Sequence, residues 1–322
     1  MRSVLFAVVL IFSLSSCEKN NDVVPGPPDP PPVLPDTLTQ GWSAVYSEAQ
    51  EYFMDIFFAD EVTGYCAGNG ILKTNNGGLS WTSVRDTSYS ENIAAWGNNK
   101  VVFTNRLRPA LQSQNNGLTF NPVIASSSTV PIFTDSWFIN ADTCYFLSLN
   151  AIWRSVNGGI TADSIYGFPG GEGFGLLFFL PGGQTGWASR AATLGGTFKT
   201  SDGGLTWSRV NNIYSFQHYI NATIGFTVQG RNILKTVDGG QNFATIYTHN
   251  LIDDLGFLND IHFVNDNVGY AVIGKHLLKT TDGGNSWETV VRSSNGFIRE
   301  IHFVNEDHGW AVTGRTILRF AQ

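Results

Sequence analysis

Lys73-Thr-Asn-Asn-Gly-Gly-Leu-Ser-Trp81 decides the fold, because this nine-residue pattern recurs five more times in a chain of 322 residues. The other copies occupy residues 112–120, 154–162, 199–207, 235–243 and 279–287. The fourth position of each copy is Asn or Asp, and successive copies of it are separated by 39, 42, 45, 36 and 44 residues. A period near 40 residues indicates a repeat protein.

The pattern has the chemistry of a tight turn between two antiparallel strands. An Asn or Asp side chain accepts a hydrogen bond from the backbone two residues further on, and glycine supplies the positive φ angle that such a turn needs. A short apolar run such as Ile71-Leu72 comes before each turn as a strand. We therefore assign a structural role to the fourth position of every copy, which is Asn76, Asn115, Asn157, Asp202, Asp238 and Asp282.

Each repeat contains further strand-like segments upstream of its turn. A second segment is typified by Val268–Ile273, and a third, still farther upstream, by Ile261–Val264. Together with the strand that follows the turn, each repeat of about 40 residues holds four strands. Four antiparallel strands per repeat are the signature of a β-propeller blade.

The two ends of the repeat region set the number of blades. The chain stops at Ile317–Gln322, which aligns with Ile71–Asn76, so a seventh repeat ends at its turn. The missing outer strand lies at the other end, where Trp42-Ser-Ala-Val45 has the same form as Trp81–Val84. We therefore predict an all-β fold over residues 42–322. It is a seven-bladed β-propeller of four-stranded antiparallel blades, closed by the N-terminal strand, which completes the last blade.

Residues 1–16 have the form of a secretory signal peptide, with one positive charge at Arg2 and an apolar stretch from Val4 onward. Leu14-Ser-Ser-Cys17 then resembles a bacterial lipobox, in which the cysteine becomes the lipid-bearing first residue of the mature chain. We predict that Cys17 carries a lipid anchor and that the protein is a membrane-anchored lipoprotein of the bacterial cell envelope, on the periplasmic or the exposed side. The alternative is an ordinary signal peptide with an incidental cysteine.

Residues 17–41 are predicted to form a stalk between this anchor and the propeller. Seven prolines lie between Val23 and Thr39. Such a composition favours the extended polyproline conformation and does not pack a core. We expect the stalk to be semi-rigid and to hold the propeller away from the membrane surface.

Composition argues against several classes of function. Without residues 1–16, which hold one arginine and no acid, the chain has 18 basic and 26 acidic side chains, and its net charge of −8 disfavours nucleic-acid binding. Cys66 and Cys144 fall on different blades, too far apart for a disulfide, so we expect buried free thiols. The six histidines show no metal-ligand spacing, and we expect neither a metal nor a cofactor.

Basic side chains recur at the connections between the second and third strands of the blades. These connections share one rim of a propeller, and the repeated turns lie on the opposite rim. Guanidinium groups suit carboxylates, so the pattern predicts a basic collar that binds an acidic protein segment. The alternative is that exposed hairpins merely tolerate Arg and Lys. The predicted collar consists of Arg106, Arg108, Arg190, Arg231, Lys275, His276 and Arg315.

Acidic residues at the connections between blades are expected on the same rim. Two outcomes are open: they pair with the collar and neutralise it, or they supply carboxyl groups for catalysis. Glycosidases use two carboxyls at a defined separation, which sequence does not show. The acids concerned are Asp55, Glu91, Glu172, Asp260 and Glu300.

The repeats resemble the seven-bladed photosystem II assembly and stability factor propellers, a branch of the Asp-box (BNR-type) repeat proteins. The matching segments are Gly269–Gly274, Leu278–Trp287 and Gly309–Gly314. The resemblance implies a propeller that assembles with or binds another protein through a basic surface, with Arg190, Arg231 and Arg315 as positions of matching type. Repeats two and three depart most, with Asn-Asn-Gly at 115–117 and Ala162 in place of an aromatic residue.

Two alternatives to a protein-binding scaffold remain at this stage. Asp boxes also occur in sialidases and other glycoside hydrolases, and Arg106-Leu-Arg-Pro109 is similar to the Phe-Arg-Ile-Pro motif of sialidases. A seven-bladed chain of this length leaves little room for the insertions that build such sites, so we do not expect an enzyme. The second alternative is a structural or adhesive surface lipoprotein. We expect a monomer that contacts the membrane only through its anchor.

Overall fold

The computed structural model describes residues 37–47, 52–85, 89–105, 107–126, 131–168, 173–191, 195–250, 260–294 and 296–322. The predicted signal peptide, Cys17 and residues 18–36 of the predicted stalk lie outside the described residues, as do Arg106 and Glu172, so those assignments stay predictions. None of the described residues belongs to a helix that could cross a membrane.

The described strands form seven sheets, each containing one blade of four strands ordered from the inner to the outer edge. Two strands, β1 (Thr37–Leu38) and β2 (Trp42–Ser47), precede the first complete blade. Blade 1 comprises β3 (Phe53–Phe58), β4 (Gly64–Gly68), β5 (Ile71–Thr74) and β6 (Thr82–Arg85). Blade 2 comprises β7 (Asn92–Trp96), β8 (Lys100–Thr104), β9 (Leu111–Ser113) and β10 (Asn121–Pro122).

The third and fourth blades continue the same up-and-down order. The short strand β11 (Ile124–Ala125) runs parallel to the outer strand of blade 3 and adds a fifth strand to that sheet. Blade 3 comprises β12 (Phe133–Phe138), β13 (Cys144–Ser148), β14 (Ala151–Ser155) and β15 (Thr161–Gly167). Blade 4 comprises β16 (Phe174–Phe179), β17 (Gly186–Ala191), β18 (Gly196–Thr200) and β19 (Ser208–Asn211).

The last three blades complete the ring, and the seventh borrows its outer strand, β2, from the start of the domain. Blade 5 comprises β20 (Gln217–Tyr219), β21 (Gly225–Gln229), β22 (Asn232–Thr236) and β23 (Ala244–Thr248). Blade 6 comprises β24 (Ile261–Phe263), β25 (Gly269–Ile273), β26 (His276–Thr280) and β27 (Glu288–Arg292). Blade 7 comprises β28 (Ile298–Phe303), β29 (His308–Thr313), β30 (Thr316–Ala321) and β2.

The N-terminal segment closes the ring as predicted. Strand β2 pairs antiparallel with β30, with Trp42 opposite Phe320. The structured part also begins earlier than residue 42, because β1 pairs with the outer strand of blade 6 and places Thr37 opposite Arg292. Composition predicts residues 37 and 38 to be part of the stalk, whereas their backbone forms a fifth strand of that sheet.

The core lies between blades, where side chains of adjacent sheets interlock. In one such cluster Tyr270 of blade 6 stacks on Phe303 of blade 7 with ring centroids 3.8 Å apart. Cys66 and Cys144 are buried free thiols in clusters of this kind, which confirms the expectation from their spacing. A propeller therefore buries most of its apolar side chains between adjacent blades.

The repeated turns are held by a hydroxyl group at the second position of the pattern, in addition to the predicted Asn or Asp at the fourth. In the first copy the Thr74 hydroxyl donates to Asn76 Oδ1 over 2.9 Å and accepts from the Gly78 N–H over 3.0 Å. Asn76 Oδ1 also accepts from the Ser80 N–H. The equivalent hydroxyls in the later copies are those of Ser113, Ser155, Thr200, Thr236 and Thr280.

Two details of these turns follow from their geometry. Asn116 stands where other copies have the first glycine and takes a φ of 60°, a left-handed conformation that asparagine tolerates. Hydrogen bonds from residues of the same turn hold the pKa of three carboxyls at about 2, namely those of Asp202, Asp238 and Asp282.

Candidate functional site

The strand directions give the propeller two different faces. The connections between second and third strands, such as residues 230–231 and 314–315, lie on one face together with the links between blades. We call it the hairpin face. The repeated turns lie on the opposite face, which we call the turn face. The inner strands start at the hairpin face and run toward the turn face, so they line a central channel between the two.

Four residues of the predicted collar lie at the surface of the hairpin face, as predicted. Arg108, Arg231 and Arg315 are exposed on hairpins of blades 2, 5 and 7, and Lys275 is half-buried on blade 6. The guanidinium groups of Arg231 and Arg315 make no salt bridge or hydrogen bond with any residue that the structure describes.

The prediction of a surface position was wrong for Arg190 and His276. Arg190 is fully buried: its Nη2 donates to the Leu149 carbonyl over 2.6 Å, and its guanidinium lies 4.1 Å from the Phe168 ring centre. His276 is also buried and packs against His249 with ring centroids 4.6 Å apart. Both residues belong to strands that flank a hairpin, where the side chain is directed into the packing between sheets.

The seven inner strands enclose a cavity of about 320 Å³. Alternate residues of a strand point to the same side, so two tiers of side chains face this channel. The carboxyl tier, nearer the hairpin face, consists of Asp55, Asp135, Asp260 and Glu300. The ring tier lies two residues further along the strands and consists of Phe57, Trp137, Phe178, His218, His262 and His302.

Three predicted rim acids thus meet in the channel, joined by Asp135. A signal for Asp135 was present, because Phe133-Thr-Asp-Ser-Trp137 matches Phe53-Met-Asp-Ile-Phe57 in its repeat. Glu91, by contrast, is half-buried and is not among the residues that line the cavity.

The aspartates of the carboxyl tier also connect neighbouring blades. Asp55 Oδ2 accepts a hydrogen bond from the Ile93 N–H of blade 2 over 2.6 Å. Asp135 accepts from Leu177 of blade 4 over 2.6 Å, and Asp260 accepts from a backbone N–H of blade 7 over 3.1 Å. Burial raises the pKa of Asp55 to about 8, that of Asp135 to about 7 and that of Asp260 to about 6, while these backbone donors oppose the shift.

Glu300 and Asp260 form a hydrogen-bonded carboxyl pair. Burial, followed by the charge of Asp260, raises the pKa of Glu300 well above its usual value. The hydrogen bond between the two side chains lowers the pKa of Asp260, as expected when a protonated Glu300 donates to it.

The ring tier is nearly continuous. The distance between the centroids of successive rings is 5.1 Å for Trp137 and Phe178, 5.0 Å for Phe178 and His218, and 5.1 Å for His218 and His262. It is 5.8 Å for His262 and His302, and 4.5 Å for His302 and Phe57. The ring tier is interrupted at blade 2, where Ala94 occupies the position that carries a ring in the other blades.

The three histidines of the ring tier are neutral near pH 7. Burial lowers the pKa of His218 and His302 to about 4, and that of His262 well below its usual value. His302 Nε2 lies 3.0 Å from the Phe58 carbonyl of blade 1. Within the part of the chain that the structure describes, no group of histidine, cysteine and acidic side chains is arranged to hold a metal ion.

Solved structures with the same fold exist, although no protein-family model and no curated protein sequence matches the chain. YCF48 bound to D1 peptide superposes with a TM-score of 0.69 at 17% identity, covering 88% of this chain and 97% of that one. YCF48 from Cyanidioschyzon merolae gives 0.68 at 16% identity, covering 87% and 98%. The Niastella koreensis GH74 enzyme gives 0.66 at 16% identity, with 86% of this chain and 53% of that one covered. These similarities show the seven-bladed fold.

Proposed function

We propose that this protein is a binding scaffold that holds an acidic segment of another protein against its hairpin face. The contacts are Arg231, Lys275 and Arg315, which lie on the second-to-third connections of blades 5, 6 and 7. We refer to these three residues as the basic arc. The proposal rests on one observation: two exposed guanidinium groups of the arc have no acidic partner among the described residues.

The arc suits an extended segment because its three cations lie on consecutive blades of one face. A guanidinium group binds a carboxylate through two parallel hydrogen bonds, which adds geometry to charge. The hairpins that carry these cations are short, and paired strands hold both of their ends. Binding of the segment therefore causes little loss of conformational entropy in the propeller. The segment supplies carboxylates at intervals that match the blades.

The structural similarities support a protein partner. One of the similar structures is a propeller with a bound peptide, named as YCF48 bound to D1 peptide. At 17% identity the likeness is one of fold, so it supports the class of partner and leaves the bound sequence open. We further propose that Cys17 anchors the protein to a membrane of the cell envelope, with the proline-rich segment as spacer.

A peptide-binding measurement tests this function. The full chain is titrated against a fluorescent peptide rich in Glu and Asp, with the matching Gln and Asn peptide as reference, and anisotropy is read at low and high salt. We expect the acidic peptide to bind more tightly and to lose affinity as salt rises, since exposed charges are screened.

Variants then locate the contact. The double variant Arg231→Gln, Arg315→Gln is expected to weaken acidic-peptide binding by about ten-fold or more, as for the loss of roughly 1.4 kcal/mol. Arg108→Gln, an exposed arginine on the hairpin of blade 2, is the matched control and should leave the affinity unchanged. Equal binding of both peptides, or full binding by the double variant, would overturn the proposal.

A further inference from the structure

The central channel has a chemistry of its own, separate from the basic arc. Its carboxyl tier places four acids in one cavity of about 320 Å³. No lysine or arginine is among the described residues that line it. A cavity of this size with an aromatic wall and a few convergent polar groups is typical of a small-molecule site.

His218 shows that the channel offers hydrogen bonds that the protein does not use. Its imidazole lines the cavity and makes no hydrogen bond with any described residue, whereas the equivalent His302 contacts the Phe58 carbonyl. A neutral imidazole has one donor and one acceptor nitrogen. Polar atoms in a cavity wall that lack a protein partner are satisfied by a ligand or by water.

We propose that the channel binds a small organic cation, a primary ammonium compound with an apolar body. The ammonium group lies against the carboxyl tier, and the apolar body lies within the ring tier. The unpaired nitrogens of His218 add a polar contact to the ligand. The chemistry of the two tiers identifies the class of ligand, and neither tier includes a residue of the basic arc.

The two tiers favour a cation for different reasons. Carboxyl oxygens accept the three hydrogen bonds that an ammonium group donates. Aromatic faces attract a cation through their quadrupole, and the ring tier presents Phe57, Trp137 and Phe178 around the channel. An anion would meet the carboxyls without any basic group to offset them. A neutral ligand would make the same contacts with the aromatic rings but would lack the electrostatic attraction to the carboxylates.

Proton release gives the proposed complex a distinctive signature. Burial raises the pKa of the tier's carboxyls, so some of them are protonated near neutral pH when the channel holds no ligand. An ammonium ion favours their charged form and displaces protons into the solvent. The heat of binding then differs between buffers with different heats of ionisation.

Calorimetric titration of the full chain with n-butylammonium tests the proposal, with 1-butanol and butyrate as neutral and anionic references of similar shape. We expect saturable binding of butylammonium with proton release in phosphate and MOPS buffers. We expect at least about ten-fold weaker binding of butanol, the equivalent of roughly 1.4 kcal/mol, and none of butyrate. No saturable butylammonium binding, or equal binding of butanol, would overturn the proposal.

A control variant and a fluorescence measurement on the wild type distinguish loss of the binding site from a folding defect. Glu300→Gln should weaken butylammonium binding by about ten-fold or more and reduce proton release, whereas Glu288→Gln, an exposed position on β27 of blade 6, should change neither. In the wild type, butylammonium should perturb tryptophan fluorescence, and Trp137→Leu should reduce that change, since Trp137 belongs to the ring tier. If Glu288→Gln has the effect of Glu300→Gln, the site is not the channel.

The two proposals fail separately. The double variant of the basic arc should retain butylammonium binding, because its arginines lie outside the channel. Glu300→Gln should retain binding of the acidic peptide. If the wild type binds only one of the two ligands, the proposal for the other ligand has failed and the first stands.

Discussion

The indole ring of Trp310 stacks on the phenyl ring of Phe58, with ring centroids 3.4 Å apart and planes within 5° of parallel. Trp310 belongs to β29 of blade 7, and Phe58 belongs to β3 of blade 1. The indole N–H also donates to the Gly77 carbonyl in the turn of blade 1 over 3.0 Å. Side chains therefore join the last blade to the first, in addition to the pairing of β2 with β30.

Trp310→Ala should destabilise this joint strongly. The side chain is fully buried, so its loss leaves a cavity and frees the Gly77 carbonyl. We expect a decrease of about 3–5 kcal/mol in the free energy of unfolding, measured by urea denaturation. Trp96→Ala is the control, because Trp96 is 44% exposed, and it should change stability by less than about 0.5 kcal/mol. Similar losses in the two variants would contradict the packing role.

Gly64→Ala should be harmful because Phe58 lies directly over that glycine. A Cβ at position 64 would stand 2.6 Å from the Phe58 ring. We expect a loss of about 1–3 kcal/mol from overpacking, seen as a lower denaturation midpoint. Gly167→Ala is the matched control on β15, since a Cβ there meets nothing within 4 Å.

A second substitution separates this clash from a backbone effect. Phe58→Leu removes the ring that the new methyl group meets, so its cost and that of Gly64→Ala should be less than additive when combined. Strict additivity of the two losses would show that the ring does not set the requirement for glycine.

Thr280→Val should weaken the turn of blade 6 while preserving the shape of the side chain. The hydroxyl accepts from the buried Gly284 N–H over 3.0 Å and donates to Asp282 Oδ1 over 2.9 Å. An unsatisfied buried donor costs about 1–3 kcal/mol, which thermal or urea unfolding should detect. Thr281→Val, one residue away and exposed, should be close to neutral. Equal stability of the two variants would exclude the hydroxyl as the organiser of the turn.

Glu300→Gln should reduce a pH dependence of stability that the channel creates. The usual pKa of a glutamate is 4.5, and burial raises that of Glu300 well above this value. At a pH between the two values, Glu300 keeps its proton in the folded state, whereas the unfolded chain releases it. The folded state therefore binds more protons, and the free energy of unfolding falls as pH rises. Asp55 and Asp135 act in the same direction, with pKa values of about 8 and 7.

Urea unfolding at pH 7.5 and pH 8.5 measures this slope, because His218, His262 and His302, whose pKa values are lowered by burial, are then largely neutral in both the folded and the unfolded chain and add little opposing slope. The wild type should be less stable at pH 8.5, and the difference should be smaller in Glu300→Gln. The exposed variant Glu288→Gln should keep the slope of the wild type. An unchanged slope in Glu300→Gln would show that this carboxyl does not take up a proton on folding.

Local chemistry determined the turns and the number of blades. The side-chain hydrogen bonds of the Asn or Asp in each turn join residues no more than four positions apart, as between Asn76 and Ser80, so this part of the turn geometry follows from the nine-residue pattern. Six copies of the pattern, together with the alignment of Ile317–Gln322 with Ile71–Asn76, predicted seven repeats, and Trp42 identified the strand that closes the ring. Fold class was therefore predictable from sequence because it depends on interactions of short range repeated many times.

Only the tertiary structure decided which of the candidate residues are exposed and which of them lie close together. Arg190 and Arg231 both lie at the second-to-third connection of a blade, yet Arg190 is buried against Phe168 and Arg231 is exposed. The difference depends on packing between neighbouring blades, which a single repeat does not encode. Asp55 and Glu300 are 245 positions apart and line one cavity only because the ring closes. Their altered pKa values arise from that shared burial, a property of the closed ring.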